Sequence, residues 1–102
     1  MIYEMRTYRL YPGKVPEFMR ILEEGLPVRE KHSKLVGMWS TEIGELNQVV
    51  HLWKYTDMAE RAQVRKGLRE DQEWHKITAK LDPLIVKMEN KILTPAPFSP
   101  MQ

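Results

Sequence analysis

Alternation of side-chain type is clearest in the segment from Asn47 to Tyr55, which reads Asn-Gln-Val-Val-His-Leu-Trp-Lys-Tyr. β-Branched and aromatic residues dominate this segment, and it contains no glycine or proline, so it predicts a strand. Successive side chains of a strand point to opposite faces. One face therefore carries Val49, His51, Trp53 and Tyr55, and the other carries Val50 and Leu52. Because both faces are apolar, both need a cover.

Three further segments have strand character: Ile2–Leu10, Leu35–Ile43 and Leu84–Leu93. The link from Gly44 to Asn47 is short, so the second and third strands should form an antiparallel hairpin. If Gly44 pairs with Asn47, the residues that share a face with His51 are Met38, Ser40 and Glu42. A bulge at Gly37 or Gly44 would place Trp39 there instead. Both registers are open.

The first helical pattern has apolar residues at i, i+3, i+4, i+7 and i+11, beginning at Val15 and ending at Leu26. Gly25 and Pro27 are expected to kink or end this helix, because proline cannot donate a backbone hydrogen bond. The polar run 29–34 that follows is expected to be a solvated end.

The second helical region begins at Asp57, which forms a capping-box pattern with Glu60. A further helical segment begins near Asp71 and ends at Asp82-Pro83, since a residue before proline avoids the helical conformation. One helix carries a basic stripe made of Arg61, Arg65 and Arg69. Neighbouring glutamates dilute its charge, so we expect a solvated face in preference to an anion site.

The order β-α-β-β-α-β predicts an α+β, ferredoxin-like fold with a four-stranded antiparallel sheet and its helices on one face. We expect the helices to cover the face of Val50 and Leu52. The face of His51 and Trp53 would then be an exposed apolar patch too large for a stable monomer. Two copies pairing sheet to sheet would cover it, so the pattern predicts a homodimer that encloses a barrel. Residues 1–102 form one domain, with 94–102 as an extended, proline-rich tail.

Composition narrows the class of protein. A formal net charge of +2 is too small to indicate nucleic acid or an anionic membrane as a partner. With no cysteine there can be no disulfide, thiolate zinc site or cysteine nucleophile. No run approaches the roughly 18 apolar residues of a membrane span, and no signal peptide is visible. These features favour a cytoplasmic protein.

Several motifs occur in order between about Ile2 and Pro100: Tyr3-Glu4-Met5-Arg6-Thr7-Tyr8-Arg9-Leu10, Pro12-Gly13-Lys14, Leu35-Val36-Gly37-Met38-Trp39, Thr41-Glu42-Ile43-Gly44, Asn47-Gln48-Val49-Val50-His51-Leu52-Trp53 and Glu89-Asn90-Lys91-Ile92-Leu93. Their residues and spacing resemble the NIPSNAP family, in its small, single-domain bacterial form. The resemblance implies a dimeric α/β barrel, whose ferredoxin-like subunits pair face to face. Relatives in that superfamily include cofactor-independent oxygenases, isomerases, dehalogenating enzymes and haem-binding proteins.

The candidate catalytic residues are His51 and Arg6. Strand parity places Arg6 and Tyr8 on one face of the first strand, which we assign to the barrel interior together with His51 and Trp53. His51 is the residue here that titrates near neutral pH, so it is the candidate general acid or base. Arg6 is suited to an anionic ligand, between walls formed by Tyr8 and Trp53.

Two acidic residues complete the candidate pocket. Resemblance of the Glu89-Asn90 pair to the family pattern favours Glu89 as the inward residue of the last strand, where it could orient His51. Glu42 joins the pocket under the first of the two hairpin registers. The alternative interpretation is a structural network in which His51 and Arg6 satisfy each other and Glu4 or Glu89.

No metal site or cofactor is predicted. His32, His51 and His75 lie on different elements without the short spacing of metal ligands. Of the neighbouring residues Trp74 and His75, we expect Trp74 to lie in the core and His75 to be exposed to solvent. Nothing in the sequence matches a phosphate-binding loop or a nucleic-acid motif.

Two function classes follow. One is a homodimeric enzyme or small-molecule binder with an enclosed, partly polar cavity. The other is an interaction or signalling scaffold with a filled barrel and an exposed apolar patch near Gly25-Leu26-Pro27 or the tail.

Overall fold

A computed structural model describes the whole chain, Met1 to Gln102. Its elements are β1 (Ile2–Leu10), α1 (Val15–Arg29), β2 (Leu35–Ser40), β3 (Gln48–Tyr55), α2 (Met58–Glu70), α3 (Gln72–Leu81), a short 3₁₀ turn (Asp82–Leu84) and β4 (Ile85–Leu93). The four strands form one antiparallel sheet in the order β2-β3-β1-β4. This is the predicted ferredoxin-like arrangement, with the second helical region divided in two.

The two central strands fix which side chains share a face. In the β1–β3 ladder Arg6 is opposite His51 and Glu4 is opposite Trp53, and directly opposed residues point to the same side of a sheet. We call this side the inner face; its central residues are Glu4, Arg6, Tyr8, Val49, His51 and Trp53. The opposite side is the outer face; its residues include Met5, Thr7, Val50, Leu52 and Trp39.

The helices cover the inner face, so the predicted choice of face was wrong. The main core cluster joins Tyr8 and Val49 of the sheet to Phe18, Ile21 and Leu22 of α1. Val49, Trp53 and Tyr55 are at most 1% exposed, whereas Val50 and Leu52 stay partly exposed. The inner face presents the larger side chains to the helices, and burying them removes more apolar area from water.

Helix α1 continues through Gly25 and Pro27 to Arg29, contrary to the expected break. Pro27 removes only its own backbone bond, and the next turn closes with the Glu30 amide donating to the Leu26 carbonyl at 2.8 Å. Gly25 is where α1 meets α3, because a Cβ atom there would lie 2.6 Å from Cδ1 of Ile77. Lack of a side chain therefore allows the two helices to pack closely.

The predicted N-cap at Asp57 is confirmed, although the Glu60 side chain accepts from the Thr56 amide and not from that of Asp57. The Asp57 side chain accepts a hydrogen bond from the Glu60 amide at 2.8 Å and begins α2. Asp71 follows the end of α2 and caps α3, accepting from the amides of Glu73 and Trp74. Its other oxygen lies 2.7 Å from Nε2 of His32. Leu68 is the only buried residue of α2, so packing holds this helix weakly.

The outer face is not covered by a helix. Trp39 is 54% exposed on it and lies opposite Val50 in the β2–β3 ladder. At one end the tail returns to the sheet, where the Tyr3 hydroxyl donates to the Gln102 carbonyl at 2.7 Å. None of the helices has both the length and the apolar character needed to cross a membrane.

Candidate functional site

A cavity of about 260 Å³ lies between the inner face and the helices. The sequence placed the pocket between the sheets of two subunits, whereas this cavity is formed within one subunit. Its polar and aromatic lining residues are Arg6, Arg29, Arg65, Arg69, His51, His75, Thr78, Asp82, Tyr8, Phe18, Trp53 and Trp74. Four of the predicted site residues, Arg6, Tyr8, His51 and Trp53, are therefore brought together as expected.

His51 is held by its neighbour two residues along β3. The Trp53 indole N–H donates to Nδ1 of His51 at 2.7 Å. A neutral imidazole that accepts at one nitrogen carries its proton on the other, so Nε2 bears the hydrogen. His51 Nε2 is buried and has no hydrogen-bond partner.

The charge state of His51 follows from its surroundings. Burial, together with the positive charges of Arg6 and Arg29, lowers its pKa to about 3. An imidazole with such a pKa is neutral at pH 7 and is a poor general base. The structure therefore presents His51 as an N–H donor.

Arg29 is the main site residue that the sequence interpretation missed. It was assigned to a solvated end, but it is 3% exposed, and its guanidinium carbon lies 3.8 Å from the centre of the Trp53 ring. Nη1 donates to Ser33 Oγ at 2.8 Å, and burial lowers the pKa of Arg29. The sequence does contain one indication that Arg29 is buried: it lies seven residues after Leu22, on the same side of α1 as the apolar stripe.

Glu4 is fully buried at the centre of a polar network. Its Oε2 accepts from Arg61 Nη2 and Asn90 Nδ2, each at 2.7 Å, and pairs with Arg6 at 3.3 Å. Tyr55 donates its hydroxyl to Oε1 at 3.3 Å. Burial alone would raise the pKa of Glu4, but hydrogen bonds from Arg61 and Asn90 and the charge of Arg6 lower it overall. Glu4 therefore stays ionised and offsets part of the positive charge of Arg6 and Arg61.

The basic stripe of α2 is solvated only in part: Arg69 is exposed, whereas Arg61 and Arg65 are partly buried. Arg61 binds Glu4, whereas Arg65 and Arg69 line the cavity and form no ion pair with a carboxylate. Burial lowers the pKa of Arg65, and the positive charge of Arg6 adds to that effect. The sequence indicates this grouping through the spacing of four residues, which places all three arginines on one side of the helix.

The two predicted acidic residues lie outside the cavity. Glu89 is opposite Thr7 in the β1–β4 ladder, so it belongs to the outer face, where it pairs with Lys87 at 3.0 Å. Asn90 takes the inner position opposite Arg6. Strand β2 ends at Ser40, so Glu42 lies in the exposed loop beyond it.

The hairpin register is also resolved. Met38 pairs with His51 and Ser40 with Val49 on the inner face, while Trp39 is on the outer face.

The expected solvent exposure of His75 is correct, although this residue also lies at the rim of the cavity. No group of three or more His, Cys, Asp or Glu side chains is arranged to hold a metal ion.

Comparison with known proteins places this arrangement in a family. The NIPSNAP family model matches residues 3–100. Protein NipSnap homolog 3A of Homo sapiens is 47% identical over 75 residues, which are 72% of this chain and 30% of that protein. Protein NipSnap homolog 1 of Danio rerio is 38% identical over 99% of this chain and 36% of its own length. The chain thus spans about a third of the length of these curated relatives.

Solved structures match over the full chain. A NIPSNAP family protein with unknown function from Agrobacterium tumefaciens has a TM-score of 0.96 and 40% identity, covering 100% of this chain and 94% of that one. An uncharacterized NIPSNAP domain protein from Burkholderia xenovorans has a TM-score of 0.94 and 40% identity, covering 98% and 99%. A putative antibiotic biosynthesis monooxygenase from Nitrosomonas europaea, at 8% identity and a TM-score of 0.70 over 93% of this chain and 98% of its own, shares the fold alone. The chain belongs to the NIPSNAP family.

Proposed function

We propose that this NIPSNAP protein binds a small organic anion with an apolar body in the cavity between the inner face and the helices. The observation that carries the proposal is a group of three guanidiniums, those of Arg29, Arg65 and Arg69, which line the cavity without a carboxylate partner in any ion pair. Arg29 is buried and Arg65 is partly buried, whereas Arg69 is exposed. Buried charges are costly unless they are paired. An anion entering the cavity would supply the missing partner.

The neighbouring acidic residues do not balance this charge. Glu4 is already engaged by Arg6 and Arg61. Asp82 is the one acidic residue that lines the cavity, and its side chain is exposed. The cavity therefore keeps an excess of positive charge, which attracts anions from solution.

The walls and size of the cavity narrow the ligand further. Tyr8, Phe18, Trp53 and Trp74 supply aromatic surface, and a planar guanidinium binds a carboxylate through two parallel hydrogen bonds. The volume of about 260 Å³ is small beside the roughly 300–1,000 Å³ typical of small-molecule pockets. These features favour a carboxylate of about one ring in size.

We also propose that the protein is a cytoplasmic homodimer, whose two subunits pair through their outer faces. This face carries Met5, Val50 and Leu52, all partly exposed, together with the half-exposed Trp39. A second copy would cover these side chains by two-fold pairing of the two sheets. The barrel would then lie between the outer faces, and each subunit would keep its own cavity.

Calorimetric titration of the full chain with phenylacetate and its neutral isostere phenylacetamide tests the binding proposal. One charge-assisted contact should make the acid bind about tenfold more tightly than the amide. Arg65→Gln should remove most of this preference. The matched control is Arg20→Gln, because Arg20 pairs with Glu24 on the exposed side of α1.

Equal binding of acid and amide by the wild-type protein would contradict the proposal. A preference for the acid that persists unchanged in Arg65→Gln would also contradict it, since that result would place the anion elsewhere.

A further inference from the structure

We infer that the ligand is a 2-oxo acid with an aryl or similarly apolar substituent, whose oxo oxygen accepts a hydrogen bond from Nε2–H of His51. This inference rests on the proposed function and names the ligand class of the same cavity. It depends on a hydrogen-bond donor in the cavity wall, Nε2–H of His51, which has no acceptor within the protein.

The direction of the His51 donor is set by Trp53. Because the indole N–H donates to Nδ1 at 2.7 Å, the imidazole proton must be on Nε2. The ring is held from two sides, by Tyr8 at 4.9 Å and 81° and by Trp53 at 5.9 Å and 84°. Edge-to-face contacts are a favoured arrangement of aromatic rings, so they stabilise this orientation of the ring.

No nearby protein group accepts the Nε2 proton. His51 is 6% exposed and Nε2 has no partner, although nearly all buried polar groups in proteins are hydrogen-bonded. The Tyr8 hydroxyl already accepts from Arg6 at 2.7 Å, and the Glu4 oxygens are engaged by Tyr55, Arg61 and Asn90. A ligand oxygen is therefore the acceptor that fits this donor.

An anion-binding group lies on the same aromatic ring as this donor. Arg29 stacks on the face of Trp53 at 3.8 Å, while His51 binds the indole nitrogen at its edge. A guanidinium suits a carboxylate, whereas a neutral N–H donor suits a carbonyl oxygen. Because one indole ring separates the two groups, a compact molecule can reach both, and a 2-oxo acid carries both functions on adjacent carbons.

The test compares benzoylformate with phenylacetate in calorimetric titrations of the full chain. Both probes are ionised at pH 7 and carry one ring, and they differ in the oxo group beside the carboxylate. We expect wild-type protein to bind benzoylformate about tenfold more tightly, because one buried donor is satisfied. His51→Leu should remove this preference. The control Arg20→Gln, on the exposed side of α1 and outside the cavity, should keep it.

A second measurement is independent of any variant. In protein labelled with ¹⁵N at histidine, the His51 ring should show the Nε2–H tautomer at pH 7, and its Nε2–H resonance should shift with benzoylformate but not with phenylacetate. Trp53→Phe should weaken the tautomer preference, because it removes the donor to Nδ1 and keeps an aromatic ring. These spectra decide the question even if His51→Leu does not fold.

The possible failures are distinguishable. An Nδ1–H tautomer, or a benzoylformate preference that survives in His51→Leu, overturns this inference. Arg65-dependent binding of both acids with equal affinity overturns this inference and leaves the proposed anion site in place. Failure of both acids to bind overturns the proposed function and this inference with it.

Discussion

The Glu4 carboxylate on β1 lies 2.7 Å from Nη2 of Arg61 on α2. This ion pair fixes α2 over the inner face, where packing alone would hold it weakly, since Leu68 is its only buried residue. The same carboxylate also pairs with Arg6. Glu4 thus determines both the position of α2 and the charge balance beneath the cavity.

Replacement of this carboxylate should destabilise the protein strongly. Glu4→Gln leaves Arg6 and Arg61 without their anion, so we expect the free energy of unfolding to fall by about 3 kcal/mol or more. Urea denaturation measures this change. Glu24→Gln is the matched control, because its pair with Arg20 is exposed and should contribute no more than about 1 kcal/mol.

The pH dependence of Glu4 has a definite sign. Its pKa in the folded protein is below the ordinary value of 4.5, so its contribution is fully present above pH 4.5 and is lost as pH falls through the lowered folded value. Glu4→Gln should lack this acid-induced loss. A variant as stable as wild type at pH 7, or equally acid-sensitive, would contradict the assigned role.

Arg29→Lys tests whether the guanidinium stack is required. Lysine keeps the charge but cannot lie flat on Trp53 or bind a carboxylate through two parallel hydrogen bonds. We expect a loss of about 1–2 kcal/mol in stability, the size of a desolvated cation–π contact, and weaker phenylacetate binding. Urea denaturation and calorimetry measure the two effects.

The same exchange at Arg20, on the exposed side of α1, should change neither quantity. If Arg29→Lys matched wild type in both, Arg29 would have no part in the cavity.

The lowered pKa of His51 predicts a second pH dependence of stability, at higher pH than the one due to Glu4. Its pKa falls from 6.5 to about 3 on folding, so the unfolded chain binds more protons between these values. The stability that the neutral ring provides is therefore complete above pH 6.5 and is lost as pH falls towards 3. Urea denaturation across this range should show the loss, and His51→Leu should reduce it.

Nuclear magnetic resonance gives a direct check, because the His51 ring signals should not titrate between pH 5 and 8. A midpoint within that interval would show that the ring is charged near neutral pH and would contradict the neutral-donor assignment.

Leu52→Lys tests the proposed pairing of outer faces. A charge at this position would have to be buried between two sheets, so we expect the dimer to dissociate while the subunit stays folded. Met58→Lys is the control, since Met58 is an exposed apolar residue on α2 and not on a strand. Native mass spectrometry of each protein reports the oligomeric state. A monomeric wild-type protein, or a dimeric Leu52→Lys variant, would contradict the pairing.

Strand alternation and capping patterns predicted the element order and the neighbours of His51. They depend on local geometry: two-residue periodicity assigns Arg6, Tyr8, His51 and Trp53 to one face whatever covers it. Which face of the sheet the helices cover was not predictable in this way. Both faces of β3 are apolar, so the choice between helices and a second subunit depends on the total volume packed from all elements.

Glu89 was predicted on the wrong face of its strand for a related reason. A shift of one residue moves every side chain of a strand to the opposite face, and no local signal in β4 distinguishes Glu89 from Asn90. Arg29 was missed because a charged residue after Pro27 indicates a helix end. Its burial depends on the Trp53 ring, which is distant in sequence and close only in the folded chain.

The weak packing of α2 has a consequence for how the cavity meets its ligand. Arg65 and Arg69 lie on this helix, whose single buried residue is Leu68. Segments with little buried apolar surface open locally at a lower free energy than the rest of a fold. Amide hydrogens of α2 should therefore exchange with solvent before those of α1, and the two arginines can adjust to ligands of different length while His51 and Arg29 remain fixed.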